Sequence, residues 1–125
     1  MSYDQELARR IRRQLANDCR MAERHMFGGI AWLEQGHMVC GIVGTALMLR
    51  IGEEASEAAL QQAFVRPMDF TGRTLRGYVY VDPPALDDDV DLGLWIAAAR
   101  DFVEQLPPKP VRKVHDPDDD YRRVA

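Results

Sequence analysis

Serine and cysteine are both scarce in this sequence of 125 residues, and each scarcity removes a class of function. The only serines are Ser2 at the terminus and Ser56 within a predicted helix, so the nucleophile elbow of a serine hydrolase is missing. The only cysteines, Cys19 and Cys40, are too few and too widely spaced for a disulfide framework or a CxxC motif. We therefore expect reduced thiols and a cytoplasmic protein.

Long apolar runs and an excess of basic residues are also missing. No apolar stretch approaches the ~18–20 residues of a membrane span, and the N-terminus lacks the apolar core of a signal peptide. The formal net charge is −4, whereas dedicated nucleic-acid-binding domains usually carry a net basic surface. We expect no membrane association, and the charge argues against nucleic acid as a partner of this domain alone.

No residue pattern indicates a catalytic centre, a metal site or a cofactor site. His37 and Cys40 lie three residues apart on a predicted strand, so their side chains face opposite ways and do not share a metal. Gly28-Gly29 lacks the Gly-Lys-Ser/Thr ending of a phosphate-binding loop. We predict a protein that is not an enzyme and has no cofactor. The alternative is an enzyme with an unrecognised site.

Hydrophobic periodicity predicts three helices. In the first, Leu7, Ile11 and Leu15 recur every fourth residue after a possible capping box at Ser2 and Gln5. The second has acidic residues in its first turn and an alanine-rich body, and the third has a continuous apolar stripe. The predicted helices span residues 3–16, 53–63 and about 89–106.

Two runs of strand-like sequence lie between these helices. Three predicted strands, 26–34, 37–43 and 46–51, are joined by Gln35-Gly36 and Gly44-Thr45, which suit two-residue hairpin turns. After a break at Val65-Arg66-Pro67, a second hairpin turns at Gly72-Arg73 and joins strands 68–71 and 74–82, with Asp69 opposite Arg76. The prediction is a two-layer α+β domain over residues 1–108, with an antiparallel five-stranded sheet in the order α-β-β-β-α-β-β-α. Residues 109–125 form a predicted flexible, charged tail.

The two-residue turns also predict which side chains share a sheet face. One face is uniformly apolar and includes Leu33, Cys40 and Leu49, so we expect the helices to pack there. The other face is mixed, and contiguous exposed apolar area of that kind usually marks a partner surface. The predicted interaction surface consists of Trp32, Val39, Met48, Arg50, Arg76, Tyr78 and Tyr80.

Three alternatives to a protein-binding surface remain at this stage. In the first, a helix or the tail covers the mixed face. In the second, single-stranded nucleic acid stacks on Trp32 and Tyr78, with Arg50 and Arg76 close by. In the third, the domain binds a small ligand.

Four short motifs fill the predicted elements in a recognisable way. They are Met26-Phe27-Gly28-Gly29, the glycine hairpin at Gly36, the Gly77-Tyr78 segment and Trp95 in the closing helix. With this element order, the chain resembles the TfoX N-terminal domain family over about residues 3–108.

The resemblance implies a regulatory or protein-interaction module, with another protein or a second copy in a homodimer as partner. Two-domain members of the family regulate natural competence and carry a further C-terminal helical domain, which we expect this chain to lack. The family pattern supplies no catalytic residues.

Overall fold

A computed structural model describes residues 3–16, 21–26, 28–70 and 72–107 of the chain. Its strands form one antiparallel sheet in the order β1-β2-β3-β4-β6-β5. The predicted tail, Cys19 and Phe27 lie outside the described residues. In chain order the elements are α1 (Gln5–Gln14), β1 (Met21–Met26), β2 (Gly29–Glu34), β3 (His37–Val43), β4 (Ala46–Arg50), α2 (Glu53–Ala59), β5 (Val65–Phe70), β6 (Arg73–Val81), a short 3₁₀ helix (Pro83–Leu86) and α3 (Asp89–Glu104).

The predicted α+β class with three helices and an antiparallel sheet is confirmed, but the sheet has six strands and not five. The additional strand is β1, which pairs along its whole length with β2. All six of its side chains are exposed or half-buried, so it lacks the apolar alternation by which a strand is recognised in a sequence. The predicted strand 26–34 corresponds to β2, which begins at Gly29, and its first residue, Met26, is the last residue of β1.

The helices begin close to their predicted positions. Asp4, and not the predicted Ser2, caps α1, because its carboxylate accepts hydrogen bonds from the backbone N–H groups of Glu6 and Leu7. α2 ends at Ala59, four residues earlier than predicted. α3 begins at Asp89, where Asp88 caps it, and buries four residues of the predicted stripe: Leu92, Ile96, Ala99 and Val103.

The second hairpin is shifted relative to its prediction. Val65, Arg66 and Pro67, predicted to interrupt the chain, belong to β5, which lies at the edge of the sheet where a proline is tolerated. Phe70 pairs with Arg73, so the turn comes one residue earlier than predicted. Asp69 consequently pairs with Thr74 and not with Arg76, and the Thr74 hydroxyl donates a hydrogen bond of 2.9 Å to Asp69 Oδ1.

A β-bulge in β3 changes the predicted assignment of side chains to faces. Both two-residue turns are confirmed, and Leu33 pairs with Met38 as predicted. The next pair, however, is Trp32 with Cys40, so Val39 is the extra residue of a bulge. The bulge reverses the alternation, and Trp32 and Val39 therefore face the helices.

The first sheet face, on which the helices pack, carries the main core. Ile11 of α1, Leu92 of α3 and Val79 of β6 all belong to one buried cluster with Trp32. Glu34 at the end of β2 is also buried, and its Oε1 lies 3.4 Å from Arg100 Nε of α3. Leu33, predicted to join this core, lies on the opposite face, and Trp95 is only half-buried against the core.

Candidate interaction surface

A second apolar cluster covers the sheet face opposite the helices. We call it the second sheet face. Within the described residues, none of the helices contributes a member to it, whereas the first sheet face packs against all three. Its buried members are Ala31, Leu33, Met38, Met48 and Met68, and its half-buried members are Met26, Val43, Leu75, Tyr78 and Tyr80.

The strand register aligns one row of residues across this face. Each residue of the row is directly paired with the next, so the row crosses all six strands. An arginine stands at each end, and the centre is small or apolar. From β1 to β5 the row reads Arg24, Ala31, Gly41, Met48, Tyr80 and Arg66.

Gly41 makes room for Met48 in this row. A Cβ atom on Gly41 would lie 2.7 Å from Met48 Cε and 2.7 Å from the Ile30 carbonyl oxygen. The terminal methyl group of Met48 therefore occupies the space above a residue that has no side chain, and Met48 is only 1% exposed. The Met48 side chain is therefore tightly packed next to the half-buried Tyr80, its partner on β6.

Arg66 and Tyr80 form a stacked pair at the β5 edge. The Arg66 guanidinium carbon lies 5.0 Å from the centroid of the Tyr80 ring, within cation–π range. The same guanidinium donates two hydrogen bonds of 2.8 Å to the two carboxylate oxygens of Asp82. These hydrogen bonds lower the pKa of Asp82, although burial acts in the opposite direction, and they raise the pKa of Arg66.

Arg50 and Tyr78 form a second stacked pair on the neighbouring strands. The Arg50 guanidinium lies 5.6 Å from the Tyr78 ring centroid and 5.7 Å from that of Phe102. Arg50 Nη1 is also 3.4 Å from His37 Nδ1, while His37 Nε2 lies 2.6 Å from the Pro107 carbonyl oxygen. Because a carbonyl oxygen only accepts, Nε2 carries the ring proton and Nδ1 accepts from Arg50.

The structure keeps only part of the predicted interaction surface together. Met48, Arg50, Tyr78 and Tyr80 are joined by direct pairing between β4 and β6. Trp32 and Val39, at 2% and 0% exposure, lie in the main core because of the bulge at Val39. The prediction that they are surface residues is therefore wrong, because it assumed a register without a bulge.

Arg76 is separated from the two tyrosines by Gly77. Gly77 has a φ of +86°, which interrupts the alternation of β6 and places Leu75 and Tyr78 on the same face although they are three residues apart. Arg76 is exposed and lines a cavity next to α2. The predicted contact with Asp69 is absent, because Asp69 pairs with Thr74.

The family motif residues shape the backbone around this face. A Cβ atom on Gly29 would lie 1.9 Å from the Ile42 carbonyl oxygen, so β2 and β3 approach too closely for a side chain. Gly36 has a φ of +85° and completes the β2–β3 turn. Met26 is half-buried on the second sheet face, and Trp95 packs against the main core.

Sequence reasoning missed Arg66, Met38 and Met68 as members of this face. Arg66 was missed because Pro67 led us to predict a break in the strand at this point. Met68 was missed because a bulge after Pro67 changes which face of β5 its side chain occupies. The available signal was the methionine content: four of the six methionines, Met26, Met38, Met48 and Met68, lie on this one face. Methionine is flexible and polarisable, and it is over-used on surfaces that adapt to their partners.

The described residues contain few reactive groups. Cys40 is fully buried in the main core, and desolvation raises the pKa of its thiol to about 12. No three His, Cys, Asp or Glu side chains come together as a metal site would require within the described ranges. In the same part of the chain, no helix is both long and apolar enough to cross a membrane.

A known protein family matches most of the chain. The TfoX N-terminal domain model matches residues 13–103, which include all six strands, α2, all but the last residue of α3 and only the last two residues of α1. No curated protein and no solved structure matches the chain.

Proposed function

The chain belongs to the TfoX N-terminal domain family, and from this premise we propose a small, non-catalytic regulatory module that binds a partner protein through the second sheet face. The observation that carries the proposal is that no helix contributes to this apolar face within the described residues, while four methionines and two tyrosines do. Tyrosine, methionine and arginine are enriched in protein interfaces. On sequence grounds we place the module in the cytoplasm.

The arginines suit the rim of such an interface. Arg50 and Arg66 are each held against a tyrosine ring, so their side chains are ordered before a partner arrives. Preorganised side chains lose less conformational entropy on binding. Charges at a rim affect register and association rate more than affinity. Because the central methionines are already buried, the half-buried rings of Tyr78 and Tyr80 would supply most of the binding energy.

Capture from lysate of the native cell tests the proposal when paired variants are compared. We expect Tyr78→Ala/Tyr80→Ala to lose a protein that wild type and Leu94→Ala both retain. Leu94 is a matched control, because it is 64% exposed but lies on α3, away from the second sheet face. Equal capture by all three proteins would contradict the proposal.

Sedimentation velocity distinguishes a homodimer from a complex with another protein. If the partner is a second copy, wild type and Leu94→Ala sediment as dimers at micromolar concentration and the double tyrosine variant as a monomer. Circular dichroism of each variant verifies that the fold is intact.

The two stacked arginine–tyrosine pairs favour single-stranded nucleic acid as a second candidate. Aromatic and guanidinium planes on a sheet face stack with bases without regard to sequence. Fluorescence anisotropy with a labelled oligothymidylate at low and high salt tests this candidate. Binding that weakens steeply with salt and requires Tyr78 and Tyr80 would favour it over a protein partner.

A further inference from the structure

The two arginine–tyrosine pairs of the second sheet face share one arrangement. Arg66 of β5 lies directly opposite Tyr80 of β6 in the strand register. Arg50 of β4 lies directly opposite Tyr78, two residues earlier on β6. The guanidinium carbons are 5.0 Å and 5.6 Å from the centroids of these tyrosine rings, within cation–π range. The two pairs differ in the acceptors that each guanidinium reaches.

A carboxylate of the chain itself completes the Arg66 pair. Arg66 Nε and Nη2 each donate a hydrogen bond of 2.8 Å, one to each carboxylate oxygen of Asp82. Two parallel hydrogen bonds of this kind are the geometry in which a guanidinium recognises a carboxylate. An arginine stacked on a tyrosine of this face therefore binds a carboxylate while it stays against the ring.

The same two nitrogen atoms of Arg50 have no acceptor among the described residues. The hydrogen bond that Arg50 forms there is made by Nη1, which lies 3.4 Å from His37 Nδ1, and no carboxylate in this part of the chain pairs with the guanidinium. Neither Nε nor Nη2 is buried, although the residue as a whole is half-buried. Both donors are therefore accessible to a partner.

Arg50 is also held in position in the free protein. Its guanidinium carbon lies 5.7 Å from the centroid of the Phe102 ring on α3, in addition to the contact with Tyr78, and His37 accepts from Nη1. A side chain that is already ordered loses less conformational entropy when it binds. Arg50 thus combines a fixed position with two accessible, unpaired donors, which suits the recognition of an anion.

We propose that the partner protein presents a carboxylate to Arg50, on an acidic segment with an apolar side chain next to the acidic residue. The carboxylate accepts hydrogen bonds from Nε and Nη2, as Asp82 does from Arg66, and the apolar side chain contacts the Tyr78 ring. This inference rests on the proposed function, because it identifies the chemistry of the protein that binds the second sheet face. The net charge of −4 argues against the phosphate groups of a nucleic acid as the anion.

A nuclear magnetic resonance titration with three blocked peptides tests the carboxylate. The peptides are Gly-Leu-Asp-Leu-Gly, Gly-Leu-Asn-Leu-Gly and Gly-Leu-Lys-Leu-Gly, which differ in the charge of the central side chain. We expect the aspartate peptide to shift the Arg50 Nε–H and Tyr78 amide resonances saturably, with a Kd of about 1 mM. The asparagine peptide should bind roughly three- to tenfold more weakly, and the lysine peptide more weakly still.

Two arginine variants separate the Arg50 contact from the general charge of the surface. We expect Arg50→Gln to bind the aspartate peptide only as weakly as wild type binds the asparagine peptide. Arg13→Gln should leave binding unchanged, since it removes the same charge from an exposed position on α1. Equal losses in the two variants would contradict a specific contact with Arg50. The comparison of the three peptides on wild type does not depend on whether either variant folds.

The titration of wild type can overturn the proposal in three ways. These are no saturable shift with the aspartate peptide up to ~10 mM, equal binding of the aspartate and asparagine peptides, and tighter binding of the lysine peptide. An oligothymidylate that shifts the Arg50 resonance when the aspartate peptide does not would replace the carboxylate with a nucleic-acid phosphate. If any of these results occurs while capture still depends on Tyr78 and Tyr80, the partner surface stands and only the carboxylate is rejected.

Discussion

Leu49 and Leu94 show how position decides the energetic role of a single residue. Leu49 is fully buried in the main core between Cys40 and Val79, its partners on the adjacent strands. We expect Leu49→Ala to lower the free energy of unfolding by about 2–5 kcal/mol, because it removes buried apolar contacts and leaves a cavity. Urea denaturation measures this effect. Leu94→Ala should change it by less than about 0.5 kcal/mol, and similar costs for the two variants would contradict the core assignment.

Cys40 gives a chemical test of the same core. Its thiol is fully buried with a pKa raised to about 12, so it stays protonated and inaccessible at neutral pH. In a Cys19→Ser background, we expect Ellman's reagent to leave Cys40 unmodified in the folded protein and to modify it fully in urea. Rapid stoichiometric labelling of the folded protein would show that Cys40 is not in the core.

The ion pair between Asp82 and Arg66 makes the stability of the fold depend on pH. Its folded-state pKa is lowered by Arg66, so the carboxylate stabilises the fold above the unfolded-state pKa of about 3.9. That contribution is lost as the pH falls through the folded-state pKa. Since both side chains are partly exposed, we expect Asp82→Asn to cost only about 0.2–1 kcal/mol at pH 7.

Urea denaturation at two pH values checks the sign of this effect. The difference between wild type and Asp82→Asn should shrink as the pH falls below the unfolded-state pKa of about 3.9 and toward the lowered folded-state pKa. Asp101→Asn, an exposed change on α3, serves as the control. A difference that persists unchanged at the lower pH would contradict the ion pair.

At the scale of elements, alanine substitutions at Gly28 and Gly29 test two different reasons for a glycine, a left-handed backbone and a lack of space for a side chain. Gly29→Ala would place Cβ against a backbone carbonyl of β3, and we expect a cost of about 3 kcal/mol. Gly28→Ala has open space but a φ of +75°, so its cost should be about 1 kcal/mol. Thermal unfolding compares the two. Equal costs would contradict the close approach of β2 and β3.

Elements with strong periodic or turn signals could be predicted from the sequence. The stripe of α3 and the glycine turns at Gly36 and Gly44 each have a local physical cause, and all were found. β1 was missed because an edge strand with exposed side chains has no apolar alternation. Its existence depends on pairing with β2, which is a tertiary contact.

The irregular positions limited the prediction of the candidate site. A single bulge at Val39 moved Trp32 into the core, and the left-handed Gly77 placed Leu75 and Tyr78 on one face. The sequence of β3 contains no local feature that identifies Val39 as the bulge residue. Met48, Arg50, Tyr78 and Tyr80 nevertheless come together by the pairing of β4 with β6, and their role in binding stays a prediction.

For the whole molecule, the two faces of the sheet have different roles. All three helices bury their apolar residues on the first face, which accounts for the stability of the domain. The second sheet face combines methionines with arginine–tyrosine pairs, and within the described residues none of its cluster members belongs to a helix. The family relationship supports a regulatory role, and this face is where we propose that a partner binds.

The most direct test of that claim is hydroxyl-radical footprinting of the chain before and after addition of lysate from its native cell. Oxidation reports the accessibility of Met26, Tyr78 and Tyr80 on the second sheet face. Phe64 and Leu94, at 52% and 64% exposure, are internal controls elsewhere on the molecule. The account predicts that the three surface residues become protected while the controls do not. Unchanged oxidation at all three, or protection confined to the controls, would contradict it.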